Sequence, residues 1–131
     1  MGKIFKDVKE MAEEAGLTIV DENAQEELIV VENEEAGIKN LVIDCEDPIV
    51  VFEQRIMKIV PDVDFFKRLL QVNRLLVHGA FVLDEETGEM LSWFVNLQLE
   101  NLDFNELEGA VNALSLAMAE YAEFLLENQA K

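Results

Sequence analysis

Hydrophobic positions along the chain recur with two different periods, and the switches between them mark out its elements. Residues 3–15 place Ile4, Phe5, Val8, Met11, Ala12 and Ala15 on one helical face, with Lys3, Lys6, Lys9, Glu10, Glu13 and Glu14 around it. Gly16 stops this helix, and Lys6 and Glu10 form an opposite-charge pair at helical spacing. Its apolar face predicts packing on a sheet. From Leu17 to Val60 the runs LTIVDE, ELIVVEN, IKNLVIDCE and PIVVFEQRIMKIV are rich in β-branched residues, with turn signals between them at Asn23, Glu34 to Gly37 and Asp47-Pro48. They predict four strands, the first of them the weakest. In the fourth run Val50, Phe52, Ile56 and Val60 share one parity, and Ile49, Val51, Met57 and Ile59 the other. A strand of that pattern is either buried on both faces or carries a bulge near Glu53-Gln54 that flips its register.

The stretch from Phe65 to Leu99 organises the rest. Pro61 breaks the preceding strand, and Asp62 or Asp64 is placed to cap a helix in which Phe65, Phe66, Leu69, Leu70 and Leu76 keep helical spacing. Asn73 is the polar exception on that face. The helix is expected to run to His78-Gly79, the histidine complementing the dipole and the glycine taking the left-handed terminal position. AFVLD, EETGE and MLSWFVNLQL then read as a hairpin. In its second strand Leu91, Trp93, Val95, Leu97 and Leu99 share one face, and Met90, Ser92, Phe94, Asn96 and Gln98 the other. Asp103 with Glu106 three residues on resembles a capping box, and a helical pattern follows to about Glu127 on Leu107, Val111, Leu114, Met118, Tyr121 and Leu125. Residues 128–131 are expected to fray. The order α-β-β-β-(β)-α-β-β-α over residues 1–131 predicts a single α+β domain, an antiparallel sheet packed with helices largely on one face.

Charge narrows the range of partners. The net charge is −18, and from Leu75 to Ala130 there are eleven acidic residues and no Lys or Arg. Such a surface repels phosphates, which argues against nucleic acid and anionic membranes and favours basic partners or divalent cations. The alternative is that acidity only keeps an apolar protein soluble. With half its residues hydrophobic, the chain is not disordered over most of its length. The single cysteine, Cys45, forms no internal disulfide; there is no apolar leader and no apolar run of about 20 residues, so a cytoplasmic protein is expected.

Little in the sequence points to chemistry. His78 is the only histidine, so no His-His metal pair is possible. Cys45 and His78 are a conceivable nucleophile and base, but Asp44, Glu46 and Asp47 disfavour a thiolate, and an inert thiol is the ordinary reading. Asp84 to Glu89 is carboxylate-rich and offers weak Ca²⁺ binding at most, since the spacing of an EF-hand loop is missing; a solvated hairpin tip is the plainer reading. No Gly-rich phosphate loop or nucleophile elbow is present. No enzyme, cofactor or metal is expected.

Residues 69–121 carry a resemblance. Leu69, Asn73 and Arg74 in a helix, Gly79, Phe81, Leu83 and Asp84 in a strand, Gly88 in the turn, and Leu99, Leu102, Asp103 and Leu107 at the entry to the final helix are similar to the YbjN domain family, which adopts the fold of type III secretion chaperones. The resemblance implies a small, acidic, often dimeric protein without catalytic residues, and chaperones of this fold bind an extended client segment by hydrophobic grooves and strand addition. The expectation is a chaperone-like or adaptor homodimer with a protein or peptide client; the alternative is a regulatory or sensory module acting through folded protein contacts. Candidate contact residues are Phe94 and Met90, opposite the Trp93 face, with Phe52 and Ile56 on the 49–60 strand. Their competing role is burial under the helices or in the dimer.

Overall fold

The computed structural model describes residues 2–130, with side chains from Ile4 onward, so Lys3 and Lys131 lie outside the described side chains. Its elements are α1 (Gly2–Glu14), β1 (Thr18–Asn23), β2 (Leu28–Asn33), β3 (Ile38–Glu46), β4 (Ile49–Lys58), α2 (Val63–Asn73), β5 (Ala80–Leu83), β6 (Met90–Gln98) and α3 (Phe104–Leu126). A short 3-10 turn, Glu34–Ala36, joins β2 to β3 and ends on Gly37 in the left-handed conformation. The order is the one the periodicity predicts. All six strands form one antiparallel sheet in the order β1-β2-β3-β4-β6-β5. The first four strands follow one another directly, then α2 interrupts and β6 joins β4, which leaves β5 on an edge.

One face of this sheet carries the core. From α1 come Phe5, Val8 and Ala12, from α2 Phe65, Leu69 and Val72, and from α3 Leu107, Val111, Leu114 and Leu125, all buried. They meet Ile29 and Val31, Leu41, Ile43 and Cys45, Val50 and Phe52, and Leu91 and Trp93 from the strands. Asp103 caps α3 with the full capping box, its carboxylate accepting from the Glu106 N–H while Glu106 accepts from the Asp103 N–H. For α2 the cap is Asp62, whose carboxylate accepts from the Phe65 N–H at 2.9 Å.

The mixed parity of β4 comes from a bulge. Its register against β6 shifts between Arg55 and Met57, two residues beyond the expected site. Before the shift Val50, Phe52 and Gln54 point into the core; after it Met57, opposite Leu91, and the buried Ile59 do. Gln54 is polar and only 4% exposed, and its amide is matched at both ends, accepting from the Lys39 N–H at 3.0 Å and donating to the Gly37 carbonyl at 3.2 Å.

Two expectations fail. The central helix ends at Asn73, about a turn and a half before His78, and residues 74–79 form a loop. Leu76 still packs against the core, from the loop, while Asn73 turns its side chain onto Phe81 of β5. Gly79 does have φ +77°, but its need is steric: a Cβ there would lie 2.5 Å from the Trp93 ring. The second failure is the C-terminal tail. Gln129 bridges Ile59, and the Ala130 N–H donates to the Lys58 carbonyl at 2.9 Å, so residues 128–130 are tied to the end of β4 instead of fraying, and Lys131 lies outside the described residues.

Candidate protein-contact surface

The four residues singled out for contact separate on folding. Phe52 points into the core and has 0% exposure, so it has no surface to offer a partner. Ile56 occupies the bulge and is half-buried. Phe94 and Met90 lie on the opposite face of the sheet, both half-buried.

Among the described residues no helix covers that opposite face. The register aligns a row across it, Asp21, Val30, Val42, Glu53, Phe94 and Ala80, one residue from each strand. A second row beside it holds Leu28, Asp44, Val51 and Asn96, and a third Glu46, Ile49 and Gln98. On the other side stand Arg55, Ser92 and Val82, then Lys58 and Met90. Val30, Val42, Val51, Val82 and Phe94 are each half-buried, as β-branched and aromatic side chains on an uncovered pleat should be. Two shallow hollows meet at Glu53. One of ≈ 470 Å³ is lined by Val30, Asn40, Val42, Glu53 and Arg55, the other, ≈ 340 Å³, by Glu53, Phe94 and residues 82–85.

Carboxylates dominate this face. Asp44 has its pKa raised, first by burial and then by its neighbours Glu46 and Glu26. The two ion pairs found among the described residues, Lys6 with Glu10 and Lys9 with Glu22, leave Asp44, Glu46 and Glu53 without one.

Both edges of the sheet are blunted. At β5 the Asn73 side chain acts as a substitute strand: it accepts from the Phe81 N–H at 2.8 Å and donates to the Phe81 carbonyl at 3.1 Å. At β1 a register shift falls between Ile19 and Asp21, the Glu22 N–H is taken by the Asp21 carboxylate, and Lys9 pairs with Glu22 at 3.1 Å. The sequence named Asn73 as a polar exception on a helix face and as part of the family resemblance, not as an edge cap. Its position seven residues before a predicted strand was the available signal.

A second apolar surface surrounds α2. Leu70, Leu75 and Val77 are 70%, 72% and 80% exposed, and Phe66, Leu70, Val82 and Leu83 line a hollow of ≈ 330 Å³ between the helix and β5.

The groups considered for chemistry are accounted for individually. Cys45 is buried, and burial with Glu27 and Asp44 pushes its thiol up to about 11, so it is neutral at pH 7. His78 is exposed in the loop before β5. Asp84 builds the hairpin tip, its carboxylate accepting from the Thr87, Glu89 and Met90 N–H groups at 2.9–3.1 Å. Those bonds hold its pKa down to about 2. No helix of the described residues is long and apolar enough to cross a membrane.

A six-stranded antiparallel sheet with three helices on one face and the α-β-β-β-β-α-β-β-α order defines the type III secretion chaperone class of α+β fold. The CesT_Tir_1 family model matches residues 1–131, and the chain belongs to that family of type III chaperones. Three of the solved structures that share the fold illustrate the likeness. YbjN of E. coli, a candidate transcription regulator, aligns with a TM-score of 0.69 at 12% identity over 92% of each chain. The HopA1–SchA chaperone–effector complex gives 0.64 at 13% identity, over 92% of this chain and 94% of the other. The Yersinia pestis type III secretion chaperone SycH, solved with a stable fragment of YscM2, gives 0.60 at 17% identity, over 93% and 98%. No curated protein matches the sequence.

Proposed function

We propose that this chain is a non-enzymatic, cytoplasmic chaperone-like or adaptor protein that works as a homodimer and binds an extended segment of a partner protein. The observation that carries the reading is the uncovered sheet face, an apolar row of Val30, Val42 and Phe94 on a fold shared with two chaperones solved with protein ligands. Phe94 and Met90 are its contact residues. Self-association is supported by Leu70, Leu75 and Val77, apolar side chains that a second copy would remove from water. The net charge of −18 disfavours nucleic acid and anionic membranes as partners.

Affinity co-purification of the tagged chain, with light scattering on the eluate and mass spectrometry of what travels with it, tests the reading. A dimer carrying one or a few stoichiometric partners, each protected from protease over one short stretch, is expected. A partner-free monomer would overturn it. The second reading, a regulatory module that contacts a folded surface, draws on the likeness to YbjN. It would show as a partner bound through a region that stays folded when purified alone.

A further inference from the structure

We propose that the uncovered sheet face seats an amphipathic helix of a partner protein, its apolar stripe on Val30, Val42 and Phe94 and its lysine or arginine flank toward Asp44, Glu46 and Glu53. This rests on the chaperone reading and narrows it: where the partner's otherwise extended segment crosses this face, it does so as a helix.

Three observations choose the occupant. The first is that both sheet edges are blunted, by Asn73 on Phe81 and by the Asp21, Glu22 and Lys9 arrangement on β1. A segment that does not add at an edge lies across the face, where its own backbone loses water. An extended strand there would bury unpaired N–H and C=O groups; a helix pairs them internally. The second observation is charge. Asp21, Asp44, Glu46 and Glu53 share the face with Arg55 and Lys58, both at one side. A cationic flank laid along the opposite side meets Asp44 where Glu46 and Glu26 already crowd it. The same charges argue against a second copy on this face, since a two-fold contact would bring Glu53 toward its own symmetry mate.

The third observation is size. The row from Val30 to Ala80 crosses four strand gaps, about 19 Å at ordinary strand spacing. A helix of about 13 residues, three to four turns, has that length.

The test uses the whole chain and three synthetic peptides of about 14 residues: leucine and lysine at helical spacing, the same composition in strict alternation, and the helical pattern with glutamate for lysine. Binding is read by calorimetry, peptide helicity by circular dichroism, and location by amide NMR shifts. The lysine helix is expected to bind, gain helicity and shift the amides of Val30, Val42, Glu53 and Phe94. Phe94→Ser and Glu53→Arg are each expected to weaken it about ten-fold or more, a loss of about 1.4 kcal/mol. Glu120→Arg, an equal charge change on an exposed position of α3, is the control and is expected to change it far less. Urea unfolding of each variant verifies the fold.

Helical-peptide binding that ignores Phe94→Ser and Glu53→Arg, or that maps elsewhere, overturns the proposal. The alternating peptide binding alone along β1 or β5 overturns it too and leaves the chaperone reading standing. If no peptide binds but a protease-protected client still co-purifies, the helix seat fails while the reading survives. If neither peptide nor client binds, both fail.

Discussion

The Asn73 side chain closes one edge of the sheet, and removing it has a calculable cost. It makes two hydrogen bonds to Phe81, at 2.8 and 3.1 Å, and Phe81 is buried. A net contribution of about 1 kcal/mol per bond gives about 2 kcal/mol for Asn73→Ala. Unfolding entropy scales with length, and for 131 residues that loss lowers Tm by roughly 7 °C. Asn73→Asp is a sharper probe. It keeps the acceptor for the Phe81 N–H but sets a carboxylate oxygen against the Phe81 carbonyl, so at neutral pH it should destabilise more than alanine does. Urea unfolding supplies the energies, and amide exchange at Phe81 reports the site. In both variants the opened β5 edge should accept the alternating leucine–lysine peptide, which the parent chain is expected to refuse. Asn73→Ala within 0.5 kcal/mol of the parent, a threshold of about the scatter for neutral surface changes, with Phe81 exchange unchanged, would refute the edge-capping account.

Other positions give independent checks. Gly79→Ala must place a Cβ 2.5 Å from a fully buried Trp93 ring at φ +77°, so a loss of about 3 kcal/mol is expected in urea unfolding from overpacking and left-handed strain together. Asp84 is held at about 2 against an ordinary 3.8; its folded pKa is depressed, so its stabilising effect is full above 3.8 and lost as pH falls through 2. Asp84→Ala should flatten that part of the acid limb of stability and speed amide exchange at Thr87, Glu89 and Met90. Cys45 has the opposite sign: its neutral thiol is favoured in the folded state, so stability should fall as pH rises from 9.0 through about 11, and Cys45→Ala should remove that slope. At pH 8 a thiol reagent should label native Cys45 far more slowly than the urea-unfolded chain.

Much of the fold was legible because local signals and tertiary burial agree. The capping box at Asp103 and Glu106, the β-branched runs of β3 and β4, and the alternation of β6 each name their own element. Where they disagreed, the sequence misled. Leu76 kept helical phase, yet α2 stops at Asn73, whose side chain bonds β5, and Leu76 reaches the core from the loop instead. Phe52 and Phe94 are the same residue type on neighbouring strands, and nothing local says that one faces the helices and the other faces outward. The bulge at Ile56 settles which parity of β4 points inward, and it depends on pairing with β6, thirty-odd residues away. The contact face was half legible for the same reason. Phe94 and Met90 were found by alternation within one strand, whereas Val30, Val42 and Glu53 join them only through register.

Glu53 and Gln54 set the two faces of the sheet side by side. They are consecutive residues in the middle of β4, each a long polar side chain among β-branched and aromatic neighbours, and they point to opposite faces. On the inner face the chain supplies what Gln54 needs, the Lys39 N–H and the Gly37 carbonyl, and the residue is buried at no loss of hydrogen bonding. On the outer face Glu53 sits in a row of Val42 and Phe94, half-buried, with no ion-pair partner among the described residues. A carboxylate so placed is tolerated because water still reaches it, and an apolar cover would strand it. A layer that brings its own cation or N–H donors covers this face without that cost. The inner layer is supplied by the helices of the chain; on the outer face the basic helix proposed above meets Glu53 by charge as well as by shape.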